Sequence, residues 1–192
     1  MIIFGELGFF VKNGPTAFDS TVAEWFESHR TPGEVNVAQV YGALTAPAVI
    51  LVAVCIILIF RQYWTQAWFL IDFVPLLLMI SVGGVVTSAK LFFDRVKPGA
   101  ELAVQLDLEP SFPSAHVAFI AAAGGCLLLV YSRRRVLTVL SIMVITAFTA
   151  IDRLLLGAHW FTDVVGSAFL VMGLFYLMKF IEEFLAERER VM

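Results

Sequence analysis

Long apolar runs leave few folds open to this chain. They extend over Tyr41 to Phe60, Ala67 to Ala89, Val117 to Tyr131, Val136 to Ile151 and Val164 to Phe180. A helix needs roughly 20 apolar residues to cross the hydrocarbon of a bilayer. The first two runs reach that length, and the other three are expected to extend into the polar residues beside them. Soluble domains carry about a quarter of their residues as charges. Here 15% are charged and 60% are hydrophobic. The expected fold is all-α: a polytopic membrane bundle of about five spanning helices, with Pro47 and Pro75 as candidate kinks.

The segment ahead of the first run differs in character. Phe18, Val22, Trp25 and Phe26 recur at helical spacing among Asp19, Glu24 and Glu27. That pattern predicts an amphipathic helix in the membrane interface, capped by Asp19 or Ser20 and ended at Thr31-Pro32-Gly33. Ile2 to Val11 is too short to span and reads as an interfacial anchor or the remnant of a longer helix. No basic leader precedes it, so no cleavable signal is expected. Residues 1–40 are thus read as an interfacial segment and 41–192 as the membrane-embedded domain.

Basic residues orient the bundle. Arg61, Arg133, Arg134, Arg135, Lys179, Arg188 and Arg190 share one side, which the positive-inside rule assigns to the cytoplasm. The net charge of -3 offers nothing to nucleic acid. Cys55 and Cys126 lie within apolar runs and read as small hydrophobes. Asp72 is expected to pair locally, and Gly83-Gly84 and Gly124-Gly125 to mark close helix packing. His29 is given no role.

Helix parity then collects chemistry on the opposite face. The end of the second run, the start of the third, the end of the fourth and the start of the fifth must lie together. They bring Lys90 and Lys97, Ser114 and His116, Arg153, and His159 with Asp163. Singly, such cations are interfacial side chains snorkelling toward headgroups; convergent with two histidines, they describe a phosphate site. On a helix ended by Pro98, Lys90 and Lys97 share a face and Arg95 points away. Pro113 suits a first helical turn, which leaves the amides of Ser114, Ala115 and His116 to an anion. Arg153 adds a planar fork. His159 and Asp163 are spaced i, i+4, so the carboxylate can fix the imidazole tautomer. This makes His159 the candidate nucleophile and His116 the candidate acid. A divalent metal among these cations is disfavoured, and no cofactor is expected.

At these residues the chain resembles the type 2 phosphatidic acid phosphatase family, which shares its core with vanadium-dependent haloperoxidases. The family pattern K-x6-R-P, P-S-G-H and S-R-x5-H-x3-D is met here by Lys90 to Pro98, Pro113 to His116 and Asp152 to Asp163. The resemblance implies a metal-free phosphatase domain acting on a membrane lipid phosphate. In it, His159 forms a phosphohistidine supported by Asp163, and His116 protonates the leaving group. Lys90, Lys97, Ser114, Ala115 and Arg153 hold the phosphate. Three positions depart from the pattern. Lys97 stands for arginine, Ala115 for glycine, and Asp152 for serine, and Asp152 is expected to turn away or pair with a cation such as Arg153. Transfer of phosphate to an acceptor other than water is the alternative. An anion or lipid transporter is a more distant one, since no inverted repeat is evident.

Overall fold

A computed structural model describes residues 1–66, 70–98, 109–130 and 135–191, all helix, turn and connecting segment without a strand among them. Helices α1 (Ile2–Val11), α2 (Ala17–His29) and α3 (Pro32–Leu44) precede α4 (Pro47–Thr65). A 3-10 turn (Leu70–Phe73) leads into α5 (Val74–Phe93), followed by α6 (Ala115–Val130), α7 (Arg135–Leu155) and α8 (Phe161–Val191). Among the described residues, four segments are long and apolar enough to cross a membrane: Pro47–Thr65, Ile71–Phe93, Arg135–Leu155 and Phe161–Arg188. Among the described residues, helices account for most of each of the five apolar runs, and α6, at 16 residues, is short for a spanning helix. The chain is an integral membrane protein.

Both prolines read as kinks instead begin helices. Pro47 and Pro75 occupy first turns, where the amide that proline lacks has no helical acceptor to lose. The first apolar run is accordingly divided, with α3 ending at Leu44 and α4 starting at Pro47. The expected division at residues 40 and 41 falls inside α3. The cap of α2 is Thr16, not Asp19 or Ser20; Thr16 and Asp19 exchange hydrogen bonds in a capping box. Thr31 repeats the device with Glu34 at the start of α3, so the Thr-Pro-Gly break is also a helix start.

Helices α5, α6 and α8 pack on one another, with α7 and α4 against α6 and the short α1 along α8. Small residues set several of these approaches. A Cβ on Gly124 would lie 2.5 Å from the Ile142 side chain, so α7 rests directly on the α6 backbone. Gly125 meets Leu78 and Phe175, and Gly83 meets Phe119, whereas Gly84 faces open space and marks no packing. The apolar stripe of α2 is split: Val22 and Phe26 pack against Val117, Leu154 and Val164, while Phe18 and Trp25 remain exposed. His29 stacks on Trp25.

Helix α1 is neither free nor peripheral. Phe4 stacks on Phe112 with centroids 5.4 Å apart, and Phe93 meets the same ring edge-on at 5.3 Å. Gly8 and Gly166 leave room for Phe93 and Phe112 respectively. This buried aromatic trio braces the segment that carries Pro113 to His116, so α1 supports the candidate site through packing. At the far end of the bundle Arg61 holds Asp72 at 2.7 Å, the local pairing expected of that aspartate. Arg133, Arg134, Glu101 and Asp107 lie outside the described residues.

Candidate active site

One end of the bundle holds a cavity of about 550 Å³ whose walls include Lys90, Glu109, Ala115, His116, Arg153 and His159. Helix α3 and the start of α4 close its other side with Gly42, Ala43, Ala46 and Pro47. The helix ends that parity places on one face therefore meet around one space, and both histidines reach it. Lys97, Ser114 and Asp163 are buried behind this wall.

The route by which Lys97 arrives differs from expectation. Helix α5 stops at Phe93, where Asp94 takes a left-handed conformation (φ 43°) and returns its amide to the Lys90 carbonyl. Short polar residues tolerate that conformation better than most. Lys90 and Lys97 are thus not seven residues apart on one helix; a turn and an extended segment bring Lys97 back. The Lys90 ammonium donates to the Pro110 carbonyl and lies 3.5 Å from Glu109. Of the loop carboxylates, Glu109 is the described one at the cavity.

His159 is almost wholly buried, and its Nδ1 lies 2.8 Å from the Ser111 carbonyl. A carbonyl only accepts, so Nδ1 carries the proton and the Nε2 lone pair is left unprotonated. Asp163 approaches the same nitrogen at 3.6 Å. The tautomer is therefore set by a backbone carbonyl, and the carboxylate supplies charge from slightly farther off. This corrects the expectation that Asp163 does both. Burial, opposed by Asp163 and reinforced by Lys90 and Lys97, holds the His159 pKa below its ordinary value. Neutral imidazole is the nucleophilic form.

His116 places Nε2 3.2 Å from the Gly42 carbonyl, which by the same argument puts a proton on Nε2. Arg153 gives Nε (2.8 Å) and Nη2 to one oxygen of Asp152, the pairing expected of that departure from the family pattern. Its guanidinium packs so closely on Gly42 that a Cβ there would lie 2.1 Å from Nη2. Gly42 thus touches both the candidate acid and the candidate phosphate fork, a role invisible in a lone glycine of an apolar run. Ala115 has helical dihedrals as the first residue of α6, so losing the family's glycine costs little there.

Ser114 lies outside the cavity lining. Its amide approaches the Asp163 carbonyl at 3.5 Å, and its hydroxyl is fully buried with no hydrogen-bond partner. It ties α6 to α8 rather than lining the cavity, and Ser167 reinforces that seam by donating to the Ser114 carbonyl at 3.0 Å.

Asp163 itself is completely buried. One oxygen caps α8 by accepting from the Trp160 amide at 2.8 Å, and the other accepts from Arg95. Arg95, which helical spacing sets apart from the lysines, instead lies beyond the end of α5 and reaches Asp163 from behind His159.

A family profile described as the PAP2 superfamily matches residues 72–184, more than half of the chain and all three motifs. The chain belongs to the PAP2 superfamily. No curated protein matches it in sequence. Among solved structures, the chain is similar to one described as the first transmembrane PAP2 type phosphatidylglycerolphosphate phosphatase from Bacillus subtilis. The two share 22% identity over 95% of this chain and 93% of that one, with a TM-score of 0.81. At that identity the likeness establishes the PAP2 membrane fold.

Proposed function

We propose that this PAP2 protein is a metal-independent lipid phosphate phosphatase working through a phosphohistidine on His159. The observation that carries the reading is the meeting of His159 and His116 at one cavity with Lys90 and Arg153. In the first step His159 Nε2 attacks phosphorus while the bond to the lipid oxygen breaks. His116, entering as the imidazolium with its Nε2 proton held by the Gly42 carbonyl, gives its Nδ1 proton to that oxygen and is left neutral. In the second, water attacks phosphorus, His116 takes the water proton, and the phosphorus–nitrogen bond breaks to release phosphate. Lys90 and Arg153 offset the charge on the phosphoryl oxygens, with Lys97 close behind.

The lipid tail has a route. Below the cavity, a second apolar hollow of about 160 Å³ lies between α4 and α6, lined by Ile50, Ala53, Val54, Ala123 and Leu127 among others. A bulky residue there discriminates by chain length. Ala53→Trp is expected to slow hydrolysis of long-chain lipid phosphates by about tenfold and leave water-soluble monoesters unaffected.

Asp152 occupies the Arg153 fork and places a carboxylate beside a phosphate site. Its removal frees two charge-assisted donors. Asp152→Ser is expected to tighten inhibition by inorganic phosphate about tenfold.

Phosphatidylglycerophosphate is the first substrate to try, because a protein of this fold is described as acting on it. Phosphate release by purified protein should be measured on it beside phosphatidic acid, polyprenyl diphosphate and lipid A, with chelator present. Release from none of them would defeat the reading; release abolished by chelation would defeat metal independence. A new phosphoester formed only with added alcohol would move the assignment to phosphotransfer. The basic residues assigned to the cytoplasmic side support an extracytoplasmic position for the cavity. Labelling of Glu24→Cys by an impermeant maleimide in right-side-out vesicles tests that orientation, and protection of the site there would reverse it.

A further inference from the structure

Behind His159 runs a buried chain of charges whose outer members, Arg95 and Asp19, the reaction scheme leaves unused. Arg95 is 2% exposed, and Asp19 and Asp163, the carboxylates on either side of it, are wholly buried. Arg95 Nη1 donates to Asp163 Oδ1, and Nη2 donates to Asp19 Oδ2 at 2.9 Å. Thr162 bridges the two ends: its hydroxyl accepts from Arg95 at 2.8 Å and donates to Asp19 at 2.8 Å. Its amide donates to the other Asp19 oxygen at 2.9 Å. Burial pushes the Asp19 carboxyl up, but hydrogen bonds from Thr162, Thr16 and Arg95 outweigh it and hold the pKa below the ordinary value. The guanidinium also lies 5.7 Å from the Trp160 ring.

The contacts have a direction. Asp19 sits in the first turn of α2, Arg95 in the segment after α5, and Asp163 in the first turn of α8. An arginine used only to anchor α2 has no need of the carboxylate next to a nucleophile. We propose that Asp19 and Arg95 are positioning residues for phosphoryl transfer: Arg95 clamps Asp163 behind His159, and Asp19 on α2 holds Arg95 in place. The proposal rests on the phosphohistidine reading and extends the reacting assembly into the N-terminal helices. Phe18 and Trp25 on the exposed side of the same α2 tie its seating to the lipid surface.

The test uses the full-length protein in phospholipid vesicles as wild type, Arg95→Met, Arg95→Lys, Asp19→Asn and the Asp19→Asn/Arg95→Met double variant. Arg95→Met should lower kcat on a lipid phosphate by about 30-fold, with KM within about twofold, as for other residues that orient a reacting group. Arg95→Lys should recover part of that loss. Asp19→Asn should cost less, and the double variant should be no worse than Arg95→Met, because both act through one contact. A second readout needs no substrate: the pH dependence of His159 modification by diethyl pyrocarbonate, followed by peptide mass spectrometry. His159 faces Asp163, Lys90 and Lys97, with His116, Arg153 and Glu109 around the cavity. Removing the Arg95 charge beside Asp163 leaves the carboxylate to the imidazole and should raise the midpoint of that curve.

An unchanged kcat, a loss confined to KM, or additive losses in the double variant would overturn the proposal while leaving the phosphatase reading intact. If the wild type hydrolyses no lipid phosphate, the function assigned above falls, and the modification curve alone decides. An unmoved midpoint in folded Arg95→Met then rejects the clamp. Should Arg95→Met fail to give monodisperse protein, Asp19→Asn and Arg95→Lys carry the same decision through the same two readouts.

Discussion

His159→Ala should abolish turnover, by about 10⁵-fold or more, while leaving the binding of inorganic phosphate within a few fold of wild type. Loss of a nucleophile removes the reaction path itself, and losses near 10⁶ accompany such substitutions in other covalent mechanisms. Binding rests on different groups. Lys90 and Arg153 reach the cavity from α5 and α7, and neither touches the imidazole through a described hydrogen bond. The imidazole holds the Ser111 carbonyl, so its truncation leaves one buried acceptor unpaired and costs some stability. Thermal unfolding of the variant in detergent separates that cost from the chemical one. A rapid-quench experiment with phosphorus-labelled lipid should trap an acid-labile protein phosphate in the wild type and none in the variant. Persisting turnover would remove His159 from the mechanism, and persisting lipid or anion flux without hydrolysis would favour the transporter.

Much of this arrangement could be read in the sequence, for physical reasons that also mark where reading stops. Apolar runs identify spanning helices because the bilayer permits little else. Parity along those helices brings Lys90, His116, Arg153 and His159 to one end without any knowledge of packing. The positions of Pro47 and Pro75 were harder, because a proline within an apolar run marks a kink or a start depending on where the first helical hydrogen bond falls. The left-handed turn at Asp94 hides in the same way: Lys90 to Pro98 reads as helix by spacing and is helix only to Phe93. Backbone partners carry no side-chain signature at all. Ser111 and Gly42, whose carbonyls assign the protons on the two histidines, are unremarkable letters in the chain. Asp19 is accounted for on local grounds by its half of the capping box with Thr16. Its bond to Arg95 spans 76 positions and emerges only once α2 packs on α8.

Asp163→Asn carries the second largest expected loss, about 10³-fold in kcat with KM little changed. The Ser111 carbonyl holds the His159 Nδ1 proton at 2.8 Å, and that contact survives the substitution. What disappears is a negative charge 3.6 Å from a ring that becomes cationic as phosphorus bonds to it. Two unit charges at that distance interact by about 4 to 5 kcal/mol at an effective dielectric of 20. About 4 kcal/mol in the barrier is roughly three powers of ten in rate. Sharing of the carboxylate with Arg95 keeps the loss from being larger. Asparagine cannot restore the geometry either. If its NH2 replaces Oδ1 it faces the Arg95 guanidinium, and if it replaces Oδ2 it faces the Trp160 amide and the His159 Nδ1 proton. Donor meets donor both ways. Asp163→Glu retains the charge on a longer stem and should recover part of the rate, whereas a carboxylate serving only as the α8 cap would cost about 1 kcal/mol of stability and spare kcat. Single-turnover rates of phosphohistidine formation, compared with Tm, distinguish these outcomes, and a wild-type rate in a destabilised Asp163→Asn would reduce Asp163 to a cap.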